Sequence, residues 1–142
     1  PMQEATGELI TIHAPNLNLD FMIKSAVFVL PLGNNNYKVG ATFNWKDKTQ
    51  LPTEEGKKEL TSKLETFITV PYTIVEHVAG IRPTVKDRRP LAGKHPIHKN
   101  LAVLNGLGTR GVMIAPMLAK ALYDHLENGI ALDKEISISR FL

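Results

Sequence analysis

Apolar positions first gather at Leu9, Ile10 and Ile12, which predict a first strand, begun by Gly7-Glu-Leu-Ile-Thr-Ile12 and ended by Pro15. From Ile23 to Leu30 they predict a second strand, with Val27 and Val29 on one face and Phe28 and Leu30 on the other. Leu32-Gly-Asn-Asn-Asn36 is a turn, because Gly and Asn tolerate positive φ. Tyr37, Val39, Ala41 and Phe43 then alternate with polar or small residues, so strands two and three pair as a hairpin. After a polar connection over 46–50, Pro52-Thr53 followed by Glu54 and Glu55 marks a helix start with acids where the dipole favours them. Leu60, Leu64, Phe67 and Ile68 fall on one face of that helix, which should cover the sheet, while Lys57, Lys58 and Lys63 face solvent.

A long strand follows over 72–81 and ends at Gly80-Ile-Arg-Pro-Thr84. Residues 86–99 are rich in charge and proline and predict a loop. Residues 101–104 form a short apolar run with the character of a buried strand. A turn holding Gly106, Gly108 and Gly111 comes next, then a helix to about Leu126 with Gly129 as its stop. Thr109 is placed to cap this helix. The helix is apolar almost all round from Val112 to Leu122, so it requires burial on several sides, in part by protein outside these residues. Pro116 should kink it or confine it to its early turns, and Glu135-Ile-Ser-Ile-Ser-Arg140 makes a brief alternating tail. The order predicts an α+β fold with an antiparallel or mixed sheet, a covering amphipathic helix and a buried C-terminal helix.

With 142 residues the chain forms one domain, 1–142, in three parts: 1–79, 80–128 and 129–142. A net charge of +3 permits an anionic ligand without demanding nucleic acid. The absence of cysteine excludes disulfides, thiolate metal sites and a cysteine nucleophile from this chain, and fits a cytoplasmic protein. No apolar run approaches the length of a membrane span. The chain opens on Pro1 and enters a strand within a few residues, as a portion of a larger protein would.

A strand, a glycine-rich turn and a helix together aim backbone N–H groups at an electron-rich ligand. Between Arg82 and Lys99 stand six lysines or arginines and two histidines against one acid, Asp87. Arg82, between Gly80-Ile81 and Pro83, is the best placed of them to grip a carboxylate bidentately. Lys86, Arg88, Lys94 and Lys99 fit a solvated basic loop, which lacks the interleaved aromatics of a nucleic-acid surface. His95 and His98 have no further ligand close by and fit loop histidines; His13 and His77 fit structural roles and His125 the surface.

Three stretches taken together resemble the C-terminal part of FAD-dependent oxidoreductases of the D-amino-acid oxidase and glycine oxidase family. They are Gly80-Ile-Arg-Pro-Thr84, Asp87-Arg-Arg-Pro-Leu-Ala-Gly93 and Asn105-Gly-Leu-Gly-Thr-Arg-Gly-Val-Met-Ile-Ala-Pro116. The hairpin ending Tyr37-Lys-Val-Gly-Ala-Thr42 and the helix opening Thr53-Glu-Glu-Gly56 are similar to that family's substrate domain. The resemblance implies oxidation of an amine or amino acid by hydride transfer to flavin, with Arg82 binding the substrate carboxylate. It implies flavin contact through Gly106, Leu107, Gly108, Thr109, Arg110, Gly111 and Val112. It also implies a second substrate-binding arginine in the turn, for which Arg110 stands one residue from the matching position. No GxGxxG unit is present, so a missing N-terminal region would help to hold FAD, in a protein of about 350 to 400 residues, and the lack of a cysteine around Arg82, where some relatives attach flavin, implies that the FAD is non-covalent. The implied partners are a small amino-acid or amine substrate, the rest of the protein's own chain and a homo-oligomer, with no nucleic acid and no membrane; the isolated segment would be inactive. The rival readings are a catalytically silent anion- or nucleotide-binding module and an assembly module that docks through its last helix.

Overall fold

The computed structural model describes residues 2–46 and 49–142; Pro1, Asp47 and Lys48, the last two within the expected polar connection, lie outside the described residues. The chain divides into two compact units, residues 5–81 and residues 82–142 taken with 1–4.

The main sheet contains β1 (Met2–His13), β2 (Ile23–Lys24), β3 (Phe28–Gly33), β4 (Asn36–Gly40) and β5 (Thr73–Val85), in the order β2-β3-β4-β1-β5. The expected hairpin is β3–β4, antiparallel with Val29 opposite Val39. Its turn works because Asn34 and Asn35 adopt φ of 52° and 59°, the left-handed region that suits a two-residue hairpin. The strand expected over 23–30 is two strands. The Ser25 N–H donates to the Val27 carbonyl at 2.9 Å, and the chain doubles back so that β2 pairs with β3. β4 stops at Gly40, short of the expected Phe43, although Thr6 and Asn44 form one more bridge.

Helix α1 (Glu54–Leu64) covers this sheet. The Thr53 hydroxyl caps it by accepting from the Gly56 N–H at 2.9 Å. Leu60 and Leu64 pack fully buried with Ile10, Ile12, Val27, Val29, Tyr37 and Val39. Phe67 and Ile68 lie beyond the helix end and still join that core, since the chain turns there without leaving the sheet. The unit's apolar stripe and the surface that covers it both lie within residues 5–81.

In the other unit, β6 (Leu91–Lys94) and β7 (Ala102–Asn105) form an antiparallel ribbon with Leu91 opposite Asn105. β6 lies within the stretch expected to be loop. Its burial comes from pairing with β7 and from the tail, whose Ile136 carbonyl accepts from the Ala92 N–H at 2.8 Å. The tail itself is no strand: one bridge joins Ser137 to Ala92, and the chain then takes a 3₁₀ turn over Ile138–Phe141.

Helix α2 (Gly111–Glu127) packs on β6 and β7. It continues through Pro116, whose missing N–H forfeits only the bond to the Val112 carbonyl. Gly129 ends it at φ 68°. Burial on several sides is not supplied by this chain: Leu118 is α2's one buried residue, whereas Val112, Met113 and Met117 are 99%, 76% and 67% exposed. No helix among the described residues is long and apolar enough to cross a membrane.

Candidate functional site

The glycine turn lies in the 82–142 unit, between β7 and α2. Asn105 ends β7 and folds its side-chain oxygen back onto the Gly106 N–H at 2.8 Å. Gly106 has φ 70° and is buried; a Cβ there would stand 2.5 Å from Val85 Cγ2, at the end of β5. Gly108 has φ 58°, and a Cβ on it would touch Thr84. Both positions therefore need glycine for conformation, and Gly106 for space as well.

Gly108–Arg110 then makes a 3₁₀ turn, with Leu107 immediately before it. The N-cap of α2 is Arg110, at φ −107° and ψ 11°, and not Thr109, which lies inside the 3₁₀ turn. No side chain caps α2. Its first N–H groups thus meet no side-chain acceptor, and the positive end of a helix of 17 residues carries no acid in its first turn. Gly111 opens the helix and Val112 follows on its exposed side. An uncapped helix start, set by glycines that pack directly against the end of β5, fits an electron-rich group.

Arg82 lies within β5, which continues through Pro83 to Val85, rather than at the end of a shorter strand. It stands two residues before Thr84, so strand alternation sets both on one face of β5. Burial lowers the Arg82 guanidinium from its ordinary value, and the group stays cationic. Arg82 and the glycine turn thus share a unit, joined through the end of β5. Arg110 is exposed at the start of α2.

The basic loop is organised from within. Asp87 Oδ2 accepts from Arg140 Nε at 2.9 Å, and Asp87 Oδ1 accepts from the Arg89 N–H at 3.0 Å. The Arg140 guanidinium holds the Asp87 carboxyl below its usual range; partial burial opposes this and the Arg89 N–H adds to it. His95 Nδ1 accepts from the N–H groups of Ile97 and His98 at 3.2 and 3.1 Å, so it orders its own loop. Among the described residues no group of three or more acids, histidines or cysteines is placed to hold a metal. A cavity of about 370 Å³ on the β6–β7 ribbon is walled mainly by Met2, Leu91, Leu101, Val103 and Ile138, the wrong chemistry for a carboxylate.

In the 5–81 unit the sequence reading missed Glu8. This buried carboxylate accepts from the Thr53 N–H at 2.9 Å, from the Thr53 hydroxyl at 2.8 Å and from His77 Nε2 at 2.7 Å. It ties the start of α1 to two strands. Gly56 is required beside it, because a Cβ would fall on the carboxylate. An acid directly before the apolar run of the first strand was the one available signal, and a weak one. On Glu76, Oε2 accepts from both Lys38 and Thr11 at 2.8 Å, and Lys38 is the larger cause of its lowered pKa.

The family model described as FAD dependent oxidoreductase matches residues 1–125. The bifunctional protein MnmC of tRNA 5-methylaminomethyl-2-thiouridine biosynthesis from Idiomarina loihiensis is 29% identical, over 99% of this chain and 25% of its own length. Glycine oxidase of Bacillus subtilis is 25% identical, over 71% of this chain and 28% of its own. In three dimensions the chain is similar to glycine oxidase from Geobacillus kaustophilus, with a TM-score of 0.83 at 24% identity over 99% of this chain and 40% of that one. L-proline dehydrogenase from P. horikoshii shares the fold with a TM-score of 0.78 at 15% identity, over 92% of this chain and 37% of that one. The 142 residues span about a quarter of the length of these curated relatives.

Proposed function

Because this chain belongs to the FAD-dependent oxidoreductase family, whose model matches residues 1–125, we propose that it supplies the substrate-facing and flavin-facing part of an enzyme that oxidises an amino acid or amine. The reading is carried by one observation: the uncapped start of α2, reached through Gly106 and Gly108 against the end of the strand that bears Arg82. Bound FAD would supply the hydride acceptor. Residues 106–112 would hold its ring, with the α2 N–H groups and dipole favouring negative charge on the reduced ring. Arg82 would bind the substrate carboxylate through its planar fork, with Arg110 as a second contact. The flavin does the redox chemistry, and these residues position and polarise.

FAD is held non-covalently in this reading, with its dinucleotide-binding region supplied by protein outside these residues, in the cytoplasm. Residues 1–142 alone are then inactive. The exposed stripe of Val112, Met113 and Met117 is the natural contact for the remainder of the fold, since relatives of the same fold contain more than twice this length of chain.

The test is Arg82→Leu in the full-length protein. We expect the KM for a carboxylate-bearing amine to rise at least tenfold with flavin still bound. An unchanged KM removes Arg82 from the site.

A further inference from the structure

We propose that Arg140, on the C-terminal 3₁₀ turn, is a positioning residue that sets the glycine turn at 106–110. Arg140 is 16% exposed at its side chain, and its guanidinium donates to four acceptor atoms on three residues, both Asp87 carboxylate oxygens among them. Nε donates to Asp87 Oδ2 at 2.9 Å, one terminal nitrogen donates to the Ser137 carbonyl at 3.0 Å, and the other donates to the Arg89 carbonyl at 3.0 Å. A planar five-donor group can satisfy such a set; an ammonium at the same place cannot reach all three.

The Arg89 carbonyl is the link to the turn. It lies 3.7 Å from where a Cβ on Gly106 would stand, and the Leu91 nitrogen lies 3.5 Å from the same point. Residues 89–91 therefore line one wall beside Gly106, with Val85 Cγ2 nearer still, at 2.5 Å from the same point. That wall has little regular structure of its own. Arg88 sits at φ 59°, and the segment makes one tight turn from the Val85 carbonyl to the Arg88 N–H at 2.8 Å before β6 begins.

The C-terminal segment braces it from the other side. Arg89 pairs with Glu135 at 3.3 Å, the Ala92 N–H donates to the Ile136 carbonyl at 2.8 Å, and Arg140 closes the set on Asp87 and the Arg89 carbonyl. The Arg140 guanidinium also lies 4.5 Å over the Phe141 ring, which limits its freedom to swing away. The sequence puts Arg140 and Asp87 53 positions apart. The fold makes them one clamp behind the turn. The hydrogen bonds of the Arg140 guanidinium go to Asp87, Ser137 and Arg89, so its route to the turn runs through Arg89.

The effect on flavin rests on the function proposed above; the position of the turn does not, and the experiment separates the two. In the full-length protein, with and without flavin, amide hydrogen exchange is followed in Arg140→Gln and Arg140→Lys. We expect Arg140→Gln to speed exchange at the 106–110 amides at least tenfold, with the amides of Ile10 and Val39 unchanged. Arg140→Lys keeps the Asp87 pair and gives a smaller increase at the same amides; it also serves where the glutamine variant does not fold. Unchanged exchange at 106–110 in a folded variant overturns the proposal, whatever happens elsewhere in the C-terminal segment. The flavin midpoint potential is the second readout. A tenfold loss of preference for the reduced form lowers it by about 30 mV. Faster exchange at the turn with an unmoved potential upholds Arg140 as the positioning residue and overturns the placement of flavin at the turn.

Discussion

The two units of this chain bury their helices very differently. In residues 5–81, an 11-residue helix sends Leu60 and Leu64 into a core shared with strand residues from three neighbouring strands. In residues 82–142, a 17-residue helix of higher apolar content buries Leu118 and leaves Val112, Met113 and Met117 to solvent. A hydrophobic pattern records that a surface is meant to be covered. It does not record whether the cover lies in the same stretch of chain. For α1 it does, in the sheet formed by residues 5–81; for α2 the cover lies with protein outside these residues in the reading proposed here.

The contrast can be broken or sharpened by substitution. Leu60→Ala in α1 should lower the stability of the 5–81 unit by about 2–5 kcal/mol, because the removed atoms leave a cavity in a core with no solvent access. Urea unfolding followed at a probe within 5–81 measures this, and a loss below about 1 kcal/mol would show a looser core than the packing indicates. Thr53→Ala should follow with about 1–2 kcal/mol, since the hydroxyl both caps α1 and donates to the buried Glu8 carboxylate. Serine at this position keeps both bonds and should restore most of the loss. Met117→Glu should change the stability of residues 1–142 least, by under about 0.5 kcal/mol, because the side chain already faces water. The same change in the full-length protein should weaken flavin retention. Equal tolerance in both settings would leave the α2 stripe without a partner and end the contrast between the units.

Much of the fold was legible because its signals are local. Asn34 and Asn35 tolerate the left-handed region, so they announce the hairpin. Thr53 followed by Glu54 and Glu55 announces α1, and the run of glycines after an apolar strand announces the turn before α2. What stayed illegible depends on partners distant in sequence. β6 hides in a stretch of prolines and charges, and becomes a strand because β7 and the tail satisfy its backbone. The break between β2 and β3 depends on one N–H bond at Ser25, too small a feature for periodicity to reveal. In the candidate site, the N-cap moved from Thr109 to Arg110 because a 3₁₀ turn precedes the helix. Glu8 and Arg140 carried weak signals at most, since a single charge looks the same in sequence whether it is solvated or clamped.

By itself the sequence determined the local grammar of this protein: where backbone must turn, where a helix can start, and which faces are apolar. Those follow from φ preferences, capping and periodicity, all set within a few residues. Tertiary structure alone decided which charges are buried and paired, as in Glu8 with His77 and Thr53 and in Arg140 with Asp87. It also decided that the end of β5 meets the glycine turn, with Thr84 and Val85 against Gly108 and Gly106. The physical reason is range: a dihedral preference acts within a residue or two, whereas desolvation and hydrogen bonding depend on whatever the folded chain brings within about 4 Å.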